Sequence, residues 1–149
     1  KNILPTLKSR CIKFKIHFSF DETVNICNQI LNQNILNELN YDLINYYCTP
    51  GEIIKLIQFA EEKQINLRDH DVSSIISLII ENTYYKKNIF IKNLLINFIE
   101  LFLLKRYKTS NNKNFLLDFY QYFIQKINNT EKFNLDEESL FLEFKSKVL

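Results

Sequence analysis

Apolar residues recur at helical spacing through most of the chain. Phe20, Val24, Cys27 and Leu31 fall at i, i+4, i+7 and i+11, one stripe of a helix. Ser19-Phe20-Asp21-Glu22 supplies its capping box, and the pattern predicts an end near Asn34. A shorter helix is expected over 40–47. Thr49-Pro50-Gly51-Glu52 is a second capping box with proline at the first helical position, opening a helix to about Ile65 whose buried face is Ile53, Ile57 and Ala60. Longer, more aromatic helices are predicted over 71–84, 86–107, 113–128 and 135–148. Leu116, Phe119, Phe123 and Ile127 form one stripe and Phe141, Phe144 and Val148 another. The expected breaks are Thr109-Ser110-Asn111-Asn112 and Asn128-Asn129-Thr130, both polar, with Asn134-Leu135-Asp136-Glu137 capping the last helix. Tyr84-Tyr85-Lys86-Lys87 reads as a loop.

The first sixteen residues differ. Residues 3–10 suggest a helical turn with Pro5 near its start. Cys11-Ile12-Lys13-Phe14-Lys15-Ile16 alternates apolar and basic positions with period two, the pattern of a half-buried strand. A lone strand needs sheet partners, expected upstream. The fold class is therefore all-α with one N-terminal strand remnant. Its expected divisions are 1–16, 17–66 and 67–149.

Composition agrees. One glycine and two prolines in 149 residues argue against a sandwich or barrel, whose tight turns need both. A hydrophobic fraction of 46% provides a core. A net charge of +2 is too balanced for a dedicated nucleic-acid coat. The absence of methionine, even at position 1, leads to the expectation of a chain that begins mid-protein. Lysine, asparagine and isoleucine abound as in A/T-rich coding sequence, while arginine occurs only at Arg10, Arg68 and Arg106. Arginine is thus the more informative cation. Cys11, Cys27 and Cys48 lack C-x-x-C spacing, so neither a disulfide framework nor a zinc site is expected, as suits a cytoplasmic chain.

Candidate chemistry is sparse. No glycine-rich phosphate loop can exist with one glycine, and no catalytic triad or paired-carboxylate signature stands out. Asp69-His70-Asp71 is read as an inter-helix turn whose acids cap the next helix, rather than as a metal site. His17 is read as ordinary surface or core, and Lys105-Arg106-Lys108 as cations offsetting a helix terminus. The apolar run 89–104 is interrupted by Lys92, Asn93, Asn97 and Glu100, with 93, 97 and 100 on one helical stripe. It is read as an interior helix, with no membrane role.

Ile3-Leu4-Pro5-Thr6-Leu7-Lys8-Ser9-Arg10-Cys11, followed by a strand and a capped helix, resembles the Ser-Arg-Cys segment of the bacterial clamp-loader AAA+ family. There the arginine reaches the ATP of the neighbouring subunit. A planar, permanently charged guanidinium suits that task, and such fingers supply on the order of a thousandfold in GTPases. The resemblance implies Arg10 as a finger acting in trans, with Ser9 and Cys11 holding its turn. Thr49-Pro50-Gly51-Glu52-Ile53 resembles the segment opening the third lid helix in the delta-prime branch of that family. The ATP-hydrolysing gamma/tau subunits carry an arginine in this segment that the chain lacks, and Cys48-Thr49 replaces their Gly-Ser.

The resemblance further implies a three-helix lid over 17–66 and a helical collar over 67–149. The fragment itself would have no ATPase activity and no cofactor of its own; ATP-Mg would belong to a neighbour. Expected partners are the gamma/tau and delta subunits, and through the assembly the sliding clamp and primed DNA. A gamma/tau subunit and a stand-alone helical adaptor are the alternatives.

Overall fold

The computed structural model describes residues 16–44, 48–133 and 135–149. Among the described residues the fold is all-helical, with no strand. The segment 11–15 of the expected strand lies outside them, and Ile16 carries no strand assignment.

Helix α1 spans Phe20–Leu31 and carries the expected capping box: Glu22 N–H donates to Ser19 Oγ at 3.2 Å, and Ser19 N–H to Glu22 Oε2 at 2.7 Å. It ends three residues earlier than its pattern predicts, because Asn32 turns left-handed (φ 53°) and Asn34 caps a new 3-10 turn, Ile35–Asn37. That turn delivers Ile35 into the core with no exposed surface. The helix expected over 40–47 is reduced to a 3-10 turn, Tyr41–Leu43, capped by Asn40. Ile44 is already extended; 45–47 lie outside the described residues.

Helix α2, Pro50–Lys63, begins as predicted and buries Ile53, Ile57 and Ala60. The turn after it is knitted locally: Asn66 Nδ2 donates to Asp69 Oδ2 at 2.6 Å, and Asn40 N–H reaches back to the Leu67 carbonyl at 3.0 Å. Asp71 caps α3, Val72–Glu81, accepting from Ser74 N–H at 2.8 Å and Ser74 Oγ at 2.7 Å. Of the two acids expected to cap this helix, Asp71 does so, while Asp69 is held by Asn66 within the preceding turn.

The expected loop at 84–87 is instead helical. Thr83 is left-handed (φ 53°) and starts the short helix α4, Tyr84–Lys87. Tyr85 is buried there, its ring edge-on to Phe141 at 4.8 Å. Burial of an aromatic outweighs the loop-like polarity of its neighbours. Helix α5, Ile89–Thr109, is the central element, with Leu95 and Ile99 fully enclosed. No described helix is long and apolar enough to cross a membrane.

Helix α6, Lys113–Phe133, runs through the break expected at 128–130. Thr130 is buried and its hydroxyl donates to the Ile127 carbonyl at 2.7 Å, so the polar run continues the helix. Nothing in that run forbids it, since neither glycine nor proline is present. Helix α7, Glu138–Val148, starts later than expected; Asp136 Oδ1 accepts from Glu138 N–H at 3.1 Å, while Asn134 lies outside the described residues.

One continuous body of buried apolar side chains runs from Val24 to Phe144. It crosses the boundary drawn at 66–67. Phe59 of α2 meets Tyr84 of α4 edge-on at 5.4 Å, and Lys55 Nζ lies 4.8 Å from the Phe90 ring centroid. Lys105 of α5 pairs with Asp42 at 2.9 Å across the same boundary.

Candidate functional site

Of the residues singled out in the sequence, Ser9, Arg10 and Cys11 lie outside the described residues. Thr49, Pro50 and Gly51 lie inside them, and helix initiation accounts for the geometry of Thr49 and Pro50. Thr49 Oγ1 accepts from Glu52 N–H at 3.3 Å, and Glu52 Oε2 accepts from Thr49 N–H at 2.8 Å. Pro50 is buried at the first helical position, where its missing N–H costs nothing. Its carbonyl accepts from the Cys27 thiol at 3.6 Å, tying α1 to the start of α2. Burial pushes the Cys27 thiol above its ordinary value, which keeps it protonated and unreactive.

Gly51 is different. Its φ is not positive, and nothing stands within 4 Å of where a Cβ would be. Neither the backbone nor the surrounding packing of this chain requires a glycine there. It lines a small opening of about 290 Å³ together with Thr49, Lys55, Phe90, Asn93 and Asn97.

That opening adjoins a larger cleft of about 1020 Å³ between the start of α2, the Tyr41–Leu43 turn, α5 and α6. Glu52 and Asn97 line both. Asn97 Nδ2 lies 3.5 Å from Glu52 Oε1. Further along α5, Glu100 faces Tyr120 of α6; burial and this carboxylate together push the Tyr120 phenol up. Leu104 and Leu117 supply an apolar lower wall, 45% and 43% exposed. Lys105, on the rim, is engaged by Asp42.

Besides these carboxylates, carboxamides and the Tyr120 phenol, the lining holds the Cys48 thiol, Lys105, Lys108, Tyr41 and Tyr107. No group of three or more potential metal ligands occurs among the described residues. The stripe 93, 97 and 100 was visible in the sequence as the polar interruption of an apolar helix. Leu104 and Leu117 carried no such mark. Leu117 adjoins the buried stripe led by Leu116 and could have been found only as an apolar residue left off that stripe.

Comparison with known proteins found no matching family model, no similar curated protein and no similar solved structure.

Proposed function

We propose that this chain is a non-catalytic subunit of an AAA+ clamp loader. Within that class, its segments point to the delta-prime subunit of DNA polymerase III, acting in the cytoplasm. The observation that carries the reading is the order of its parts: Leu4-Pro5-Thr6-Leu7-Lys8-Ser9-Arg10-Cys11, a capped helix, and then a helix opened by Thr49-Pro50-Gly51. The all-helical fold, with α1 and α2 each started by a complete capping box, is compatible with it.

In this role Arg10 would contribute a fixed positive charge to the nucleotide of an adjacent gamma/tau subunit, while Ser9 and Cys11 hold the turn that presents it. The helices from α3 onward would join delta and gamma/tau subunits in a ring that opens the sliding clamp on primed DNA. The chain's own contribution to ATP turnover would be that one guanidinium. Arg10→Ala in the full subunit should therefore lower ATP turnover and clamp loading by the reconstituted assembly. Unchanged rates would remove the finger assignment.

A second reading, a stand-alone helical adaptor, is favoured by one specific observation. The apolar core runs without interruption across 66–67, through Phe59 and Tyr84, where a lid and a collar would meet. The adaptor reading needs no nucleotide, and in it Arg10 has no role in ATP turnover.

A further inference from the structure

We propose that the open face of α5 and α6 pairs with the same face of a second copy of this chain, in an antiparallel contact centred on Leu104 and Leu117. The two leucines line the larger cleft and are 45% and 43% exposed. They also stand level. Glu100 faces Tyr120, and α6 returns along α5 after the short 110–112 link. Four residues on along α5 and three back along α6 therefore bring Leu104 beside Leu117. A two-fold axis through that level sets four leucines around it, two from each copy.

The charges select the occupant. Leu104 has Glu100 one turn before it and Lys108 one turn after it, each about 6 Å away along the helix. Packed helices lie about 8–10 Å apart, and an antiparallel copy at that distance puts Glu100 of each chain opposite Lys108 of the other. One pairing thus occurs twice, on either side of the leucines. Among the described residues neither Glu100 nor Lys108 is in an ion pair; Glu100 faces the neutral Tyr120 phenol, and Lys108 is exposed. The other charges of the cleft and its adjoining opening are already placed. Glu52 closes the α2 capping box and reaches Asn97, Lys105 holds Asp42, and Lys55 lies over Phe90. A partner of one sign would leave Glu100 or Lys108 facing its like, whereas a second copy turned end for end satisfies both.

On α6 the same axis raises no conflict. Lys113 and Gln121 lie four residues to either side of Leu117, so the operation sets a cation against a carboxamide. A parallel pairing would instead bring Glu100 onto Glu100 and Lys108 onto Lys108. This inference stands apart from the clamp-loader reading, since it uses neither Arg10 nor any nucleotide.

The test is sedimentation equilibrium of the full 149-residue chain from about 1 μM to about 1 mM. The parent should reach a dimer within that range. Glu100→Lys and Lys108→Glu should each weaken it by at least about tenfold, because both symmetric contacts turn repulsive. Mixed in equal amounts, these two variants should regain the parent's affinity to within about threefold, since one chain then presents two lysines and the other two glutamates. Leu104→Asp, at an exposed position, should leave a monomer with the parent's helix content by circular dichroism. A parent that stays monomeric throughout, or a dimer that Lys108→Glu and Leu104→Asp leave intact, overturns the proposal. Folded single-charge variants that fail to complement each other on mixing overturn it as well.

Discussion

Lys92 of α5 pairs with Glu137 at the head of α7, and only 15% and 25% of the two side chains remain exposed. Two further lysine–carboxylate pairs fasten the same helix, Lys86 to Glu138 and Lys145 to Glu81, each at 2.5 Å. The three differ in how far water has been withdrawn, and that decides their worth. An exposed pair contributes little because solvent screens it, whereas removing one member of a desolvated pair strands the other.

Glu137→Gln should therefore lower stability by about 1–2 kcal/mol in urea unfolding, as the Lys92 ammonium loses the Glu137 carboxylate in a largely desolvated setting. Lys147→Gln, at a surface pair with Glu143, should change it by less than about 0.5 kcal/mol. Equal effects at the two sites would show that burial does not set their worth.

Phe144 has no exposed surface and meets Phe123, Phe119 and Phe102 at centroid distances of 5.4, 6.0 and 6.2 Å. Phe144→Ala should cost about 3–5 kcal/mol, since three rings lose a common neighbour and α7 loses its deepest anchor. Chemical denaturation measures this directly.

Two substitutions should stabilise. Gly51 sits in a helix with open space at its Cβ position, so Gly51→Ala should add up to about 1 kcal/mol. Thr83 holds a left-handed conformation that β-branched residues resist, and Thr83→Asn should relieve up to about 1 kcal/mol. A raised Tm for both, read by circular dichroism, is the expected outcome.

Asp71 gives the fold a definite acid dependence. Hydrogen bonds from Ser74, backbone and then side chain, hold its carboxyl below the ordinary range. A lowered folded pKa means that this cap stabilises fully above the unfolded carboxyl's pKa, and that the contribution disappears as pH falls through the lower folded value. Thermal melts of the parent chain and Asp71→Ala should therefore differ by a constant amount near neutrality and converge in acid. A gap that persists at the lowest pH would refute the assignment.

Three helix starts were legible because they are chemical. Ser19 with Glu22, Thr49 with Glu52, and Asp71 each name the amide they satisfy, and the structure uses all three. The stripe Leu116, Phe119, Phe123 and Ile127 was equally readable, and all four are buried. Helix ends were not. Leu31 and Lys63 are each followed by a non-glycine residue in the left-handed region, Asn32 and Gln64, which carries no strong sequence signal. The polar stretch at 128–130 misled because its helix is decided by the burial of Thr130, a tertiary fact. The groove was half readable: Asn93, Asn97 and Glu100 stood out against an apolar helix, but its far wall comes from α6, distant in sequence.

Phe59 and Tyr84 lie on either side of the turn at 66–69, and their edge-on contact closes the seam there. Heat should accordingly melt the described helices in a single calorimetric transition. A protease that nicked the Asn66–Asp69 turn should leave two pieces that stay associated until denaturant parts them. Anyone expressing either half alone should expect an insoluble product, because each would carry an aromatic surface shaped for the other.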